Sequence, residues 1–321
     1  MGATAHRTPV SGHEAGEPRV ALLLSTYNGE RYLSEQLASF TTQTHTNWRV
    51  YWRDDGSTDR TADVMADFNA GPGAARVVVC SEGGRLGATG SFLWLLRTAL
   101  QQPEAYFAFA DQDDLWLPEK LANGVTALRV LPDGQPALYF CARALADADL
   151  VRVGQVLAPN RPPGFPAALT QNLAPGCCMM LNRAAAELIA ASDVPEGTWH
   201  DWWSYLVVSA SGGTVIAGDT PDILYRQHSL NLIGEPRGFW HRTAGAARRG
   251  AGPFMTLFWR QVATLQGGSV PITDRARGQL AIIANSHDSG LPARLKALGL
   301  PGFVRQTRAE TLLFRLWFLL G

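Results

Sequence analysis

Three carboxylates crowd into four positions of this chain, Asp111, Asp113 and Asp114, directly after the apolar run Tyr106-Phe107-Ala108-Phe109-Ala110. A short apolar run without polar alternation predicts a buried strand, which puts the acids at its carboxyl end. In an open α/β sheet ligands bind at that edge, and carboxylate oxygens there suit a hard divalent cation. A solvated turn or helix cap would need one such acid, not three. Two other apolar runs also end in polar clusters. Residues 19–24 lead into Ser25-Thr26-Tyr27-Asn28-Gly29, and residues 48–53 lead into Asp54-Asp55-Gly56-Ser57-Thr58-Asp59. Farther along stand His200-Asp201-Trp202-Trp203 and Tyr225-Arg226-Gln227-His228.

These residue types suit a nucleotide laid across strand ends. Asp55 can accept from a pyrimidine ring N–H. Asp111 can hold ribose hydroxyls, and Asp113 can hold Mg²⁺ or Mn²⁺ on a diphosphate. Asp-x-Asp on an extended segment turns both carboxylates to one side. Moving a sugar also requires a base for the acceptor hydroxyl. Asp201 is the candidate, because its His and Trp neighbours would raise a carboxylate's pKa by partial desolvation. Its structural alternative is a helix N-cap. His200 could orient Asp201 or bond the acceptor. Trp202 and Trp203 could stack on sugar faces, with one of them belonging to the core. Arg226 and His228 offer a cation and an imidazole to the diphosphate or the metal.

The elements that must position these groups follow from periodicity. Helices are expected over 30–43, 60–69 (capped by Ser57 or Thr58), 91–101 and 119–131. Strands are expected at 75–80 and 137–142, and residues 151–166 form a Pro-rich loop. Residues 171–182 should turn into a buried strand, and 183–192 should be helical. A helix opens within 197–205, and short strands follow at 213–217 and 223–226. Strands alternating with helices predict a doubly wound, mostly parallel α/β sheet. In such a sheet Thr26, Asn28, Asp54, Asp55, Asp111 and Asp113 converge on one edge. Residues 1–18 read as a disordered leader and 19–234 as the catalytic domain. Residues 235–321 read as a helical extension in which Arg residues alternate with aromatics and leucines. Its last stretch, 305–320, suits an interfacial helix on a membrane surface, against the alternative of docking on the protein's own core.

Bulk properties narrow the class. The chain has 321 residues and zero formal net charge, which argues against a nucleic-acid partner. Cys80, Cys141, Cys177 and Cys178 lack metal-ligand spacing and predict buried, reduced thiols in a cytoplasmic setting. No signal peptide precedes the first strand, and no apolar run is long enough to span a bilayer. The first turn lacks G-x-G-x-x-G, so hydride chemistry on NAD is disfavoured. P-loop and G-x-S-x-G signatures are also missing.

The pieces Ser25–Leu33, Arg53–Thr61, Asp111–Trp116, His200–Trp203 and Tyr225–His228, in that order, resemble the family 2 inverting glycosyltransferases of GT-A fold. The wording of the last three is similar to a bacterial rhamnosyltransferase-like subgroup of polysaccharide assembly. The resemblance implies a sugar-nucleotide donor, with dTDP-rhamnose suggested by the subgroup, a divalent metal and single-displacement inversion onto a glycan. Asp55 suits a uracil or thymine ring and so a UDP- or dTDP-sugar, and the basic, aromatic C-terminus suggests a lipid-linked acceptor at the inner membrane face. It implies that Thr26 and Asn28 line the nucleotide pocket with Asp55, and that Asp111 and Asp113 form the D-x-D. It also implies Asp201 as base and His228 as a metal or diphosphate contact. Residues 87–92 depart from the subgroup's commoner Asn-bearing form. The rival expectations are a sugar-nucleotide nucleotidyltransferase, for which the first turn lacks the Gly- and basic-rich loop, and a non-catalytic scaffold.

Overall fold

The computed structural model describes residues 16–80, 84–228 and 251–320. Its centre is a sheet with the order β3-β2-β1-β4-β8-β6-β9-β5, in which β7 pairs off β6. The strands are β1 Val20–Thr26, β2 Trp48–Asp54, β3 Val77–Val79, β4 Tyr106–Ala110, β5 Leu115–Trp116, β6 Ala137–Ala146, β7 Arg152–Val156, β8 Met179–Asn182 and β9 Thr214–Arg226. The β3-β2-β1-β4 block is parallel throughout. β8 inserts antiparallel between β4 and β6, and β9 returns parallel to β6. Six strands therefore point one way and only β5, β7 and β8 oppose them, so the expected doubly wound, mostly parallel α/β fold is present. β1 and β4 are almost wholly apolar because both faces are covered.

The helices are α1 Leu33–Thr41, α2 Thr61–Ala70, α3 Gly87–Leu100, α4 Lys120–Arg129, α5 Arg183–Ala190 and α6 His200–Ala210. Four more follow: α7 Ala251–Gln266, α8 Asp274–Asn285, α9 Gly290–Leu298 and α10 Arg308–Leu320. Three expectations are corrected here. α3 begins at Gly87 rather than at residue 91, because the Asp55 carboxylate accepts from the Leu86 and Gly87 amides and starts the helix early. α2 is not capped by Ser57 or Thr58. Asp59 instead accepts from the Thr61 amide and hydroxyl, and Ser57 is drawn onto Asp54. The two short strands expected at 213–226 are one strand, broken in its register with β6 by irregularities. β7 was hidden in the Pro-rich stretch because its residues are exposed and carry no apolar alternation. β5 is two residues long, too short to show a period.

The terminal helix α10 docks on the protein. Phe314, Trp317 and Phe318 are buried against Phe254, Phe258 and Phe303. Arg305 donates to the Thr170 carbonyl at 2.7 Å, which ties the extension to the catalytic domain. Most of the expected leader, the 234/235 boundary and the basic-aromatic run 239–250 lie outside the described residues. Among the described residues, no helix is long and apolar enough to cross a membrane.

Candidate active site

The three strands that end in polar clusters are neighbours, in the order β2-β1-β4. Thr26 stands in register with Asp54, and Leu24 with Ala110, so the three turns leave the sheet at nearly one level. The turns then bind one another. Thr26 donates its hydroxyl to Asp54 at 2.9 Å and accepts from the Trp52 indole at 3.0 Å. Asp54 also accepts from the Ser57 amide at 2.8 Å. Asn28 sits at φ +49°, a left-handed conformation that Asn tolerates better than most residues. Its side chain accepts from the Thr58 amide at 2.8 Å, and its own amide donates to Ser57 Oγ at 2.8 Å. Gly29 donates to Thr61 Oγ1 at 2.8 Å, and Glu30 accepts from the Arg60 amide at 2.7 Å.

Gln112, the middle residue of the D-x-D, joins this web and was missed by sequence reasoning. Its amide accepts from Tyr27 N at 2.8 Å and donates to Tyr27 O at 3.0 Å. The side chain thereby mimics a paired strand and clamps the first loop to the acidic one. Gly29 makes room for it, since a Cβ there would lie 2.4 Å from Gln112 Oε1. The available signal was a residue able both to donate and to accept, placed between two acids.

The acids differ by environment. Asp113 Oδ2 lies 2.9 Å from His228 Nε2, and the His228 ring packs 4.7 Å from that of Tyr32. The expected pair Asp113 and His228 is thus brought together from residues 115 positions apart. Burial, with the charges of Asp113 and Asp201 adding to it, pushes the Asp111 carboxyl up to about 7. Burial likewise drives fully buried Asp114 well above the usual carboxylate range. One Asp114 oxygen accepts from the Arg226 amide at 3.1 Å, and the other has no partner among the described residues. Asp114 is therefore part of the turn between β4 and β5, tied to the end of β9.

Crowded carboxylates that resist ionisation fit a divalent cation, which would relieve their repulsion. Asp111, Asp114 and Cys177 also come within 4.8 Å of one another. A bond with Cys178 pulls the Cys177 thiol down, but burial and the nearby carboxylates push it up to about 12. It remains a protonated thiol beside Asp111 and is a poor ligand. The hard oxygens of Asp113, with the His228 imidazole 2.9 Å away, are chemically better suited to such a cation than the Cys177 thiol. All four cysteines are free and buried, as expected.

Two of the expected nucleotide contacts are buried and bonded within the protein. Thr26 is only 1 % exposed, and its hydroxyl is spent between Trp52 and Asp54. Arg226 is 1 % exposed. Its guanidinium donates to the Asp113 carbonyl at 2.8 Å, to the Ala148 carbonyl and to Glu35, and it lies 4.4 Å above the Tyr32 ring. It fixes the acidic loop to the end of β9, because a buried guanidinium must have its donors met. Asp55 is also enclosed. Burial would raise its pKa, but the Leu86 amide, Arg53, the Gly87 amide and Ser91 together hold it below the usual range.

Asp201 lies in the first turn of α6. One oxygen accepts from the Gly176 amide at 3.1 Å and the other from the Trp202 amide at 2.6 Å. Its carboxylate is thus aimed by backbone, and its charge is felt at Asp111. His200 does not orient it. That ring is buried between Phe92 and Phe109, neither nitrogen has a partner among the described residues, and burial lowers its pKa to about 4. Trp203 is the core tryptophan, bonded to Ser192 at 2.8 Å. Trp202 stays partly exposed, with its indole on the Ala168 carbonyl.

Known proteins carry the same plan. The chain is 25 % identical over 233 residues to the dTDP-rhamnosyl transferase RfbG of Shigella flexneri, covering 66 % of this chain and 73 % of that one. It is 31 % identical over 110 residues to the UDP-Glc:alpha-D-GlcNAc-diphosphoundecaprenol beta-1,3-glucosyltransferase WfgD of Escherichia coli, over 34 % of this chain and 40 % of that one. In fold it resembles the S. aureus TarS 1-349 crystallised with UDP-GlcNAc, at TM-score 0.55 and 14 % identity, covering 87 % of this chain and 78 % of that one. The sheet with its helical C-terminal region is thus GT-A-like. The family model described as Glycosyl transferase family 2 matches residues 22–187, and the chain belongs to that family.

Proposed function

We propose that this enzyme moves a hexose, rhamnose first among the candidates, from a dTDP- or UDP-sugar to a glycan or lipid-linked glycan acceptor in cell-surface polysaccharide synthesis. The pairing of Asp113 with His228, beside an Asp111 that feels the charges of both Asp113 and Asp201, carries this proposal. The likeness to a dTDP-rhamnosyl transferase at 25 % identity supports the donor. A relative whose name specifies a diphosphoundecaprenol acceptor supports a lipid-linked one.

The chain's own groups divide the work. Asp111 takes the ribose, while Asp113 and His228 hold the diphosphate end with Mg²⁺ or Mn²⁺. When bound, the cation would neutralise charge on the leaving diphosphate. Asn28 lines the pocket through the loop it orders. A pyrimidine reaching Asp55 takes the place of the Leu86 and Gly87 amides. Asp201 removes the proton from the acceptor hydroxyl. The acceptor oxygen bonds to the anomeric carbon from the face opposite the diphosphate, whose bond breaks with its electron pair, and the configuration inverts. Free thiols at all four cysteines agree with a cytoplasmic site of action.

The test is a panel of dTDP-, UDP- and GDP-sugars with Mn²⁺, read by thermal shift and by the anomeric configuration of the product. A dTDP- or UDP-sugar should give the largest shift, and the product should be inverted. A largest shift with a GDP-sugar, or a retained product, would overturn the proposal. A nucleotidyltransferase would instead release pyrophosphate from a nucleoside triphosphate.

A further inference from the structure

Helix α10 buries one face and leaves another uncovered. Leu312, Leu316 and Leu320 are 66, 51 and 75 % exposed, one helical turn apart. The adjacent helix α9 repeats the pattern, with Leu291 and Leu295 at 58 and 54 %. The two helices pack together, and Arg294 donates to the Leu319 carbonyl at 2.8 Å. Lone surface leucines are ordinary, but five on two packed helices form a patch.

The exposed charges on the two helices are of one sign, with Asp288 the acid just before α9. α9 and α10 carry Arg294, Lys296, Arg308 and Arg315. Their one carboxylate, Glu310, is buried and turned onto Thr307, whose amide and hydroxyl donate to it at 3.1 and 2.9 Å. We infer that the outer face of α9 and α10 docks on an anionic lipid bilayer, with the leucines entering the headgroup boundary and Lys296, Arg308 and Arg315 meeting lipid phosphates. A second copy of the chain is the weaker occupant. A two-fold dimer sets a patch against itself, cation on cation. The exposed area, equal to about three whole leucine side chains, is also well under the roughly 800 Å² per partner of a stable interface. This inference stands apart from the transfer reaction, because it is tested without donor or acceptor.

The full chain is sedimented with vesicles of phosphatidylcholine alone or mixed with phosphatidylglycerol. It should pellet with the anionic vesicles, less with the neutral ones, and less as salt rises. Arg308→Gln with Arg315→Gln should weaken binding about twenty-five-fold, at about fivefold per cation. Leu312→Gln with Leu316→Gln, or Leu291→Gln with Leu295→Gln, should weaken binding at least tenfold. These positions face solvent, so the melting temperature should hold, and light scattering should show a monomer. A wild-type chain left in the supernatant, or leucine pairs that bind as wild type does, would overturn the inference. So would a dimer that the leucine substitutions dissolve.

Discussion

Asp111→Asn should stabilise this protein while destroying its activity. Burial, with Asp113 and Asp201 nearby, raises the Asp111 carboxyl from 3.8 to about 7. Between those values the folded chain keeps a proton that the unfolded chain has released. Stability therefore falls as pH rises from about 4 to about 7 and levels off above that. The shift converts to a ceiling of about 4 kcal/mol. Partial solvent access and the shared titration with neighbouring acids reduce this to about 2 kcal/mol. Asparagine keeps the shape and removes the charge. In EDTA at pH 8 the variant should melt about 3–5 °C above wild type, by the usual scaling for a chain of this size. At pH 5 the gain should shrink to less than half. Adding Mn²⁺ at pH 8 should raise the melting temperature of wild type more than that of the variant, since the Asp111 charge beside Asp113 also draws the cation. The assay is calorimetry over a pH series, with and without metal. A variant no more stable than wild type at pH 8 would show that neither burial nor the neighbouring acids disfavour the Asp111 charge, and the case for a cation beside it would fall.

Three further outcomes follow from the geometry. Gly29→Ala puts a Cβ 2.4 Å from Gln112 Oε1 and breaks its clamp on Tyr27; stability should drop by about 1–2 kcal/mol, and titration calorimetry should show weaker donor binding. His228→Ala removes the imidazole 2.9 Å from Asp113, so the Mn²⁺ concentration for half-maximal rate should rise about tenfold; an unchanged requirement would take His228 out of the metal site. Binding of dTDP or UDP should move the amide NMR signals of Leu86 and Gly87, which now occupy Asp55; signals that stay put would leave Asp55 as a helix cap alone.

The parallel half of the fold was legible because each strand is a short apolar run that stops at a polar cluster. That alternation makes the strands parallel and so places Asp55, Asp111 and Asp113 on one edge, whereas the order β2-β1-β4 is seen only in the structure. The Asp113–His228 contact was legible only as two motifs of matching chemistry, since nothing local says that β9 returns beside β4's turn. Thr26 and Arg226 were expected to face the nucleotide and are found bonded within the protein for a common reason. A polar residue at a strand end looks the same in sequence whether it faces ligand or frame, and burial decides between them. Gln112 escaped because its role is a pair of bonds to a backbone 85 positions away. In the C-terminal extension, composition pointed both to docking and to a membrane. The structure gives α10 one face buried among aromatics and another of exposed leucines, a division that depends on how α7 and α9 pack around it.

The central claim is that Asp201 is the base for sugar transfer. Asp201→Asn keeps a side-chain oxygen for the Gly176 amide and removes the basicity. With donor binding measured in parallel, the variant should hold the nucleotide sugar as wild type does while its transfer rate falls by about 10²–10⁴. Transfer at the wild-type rate would contradict the assignment.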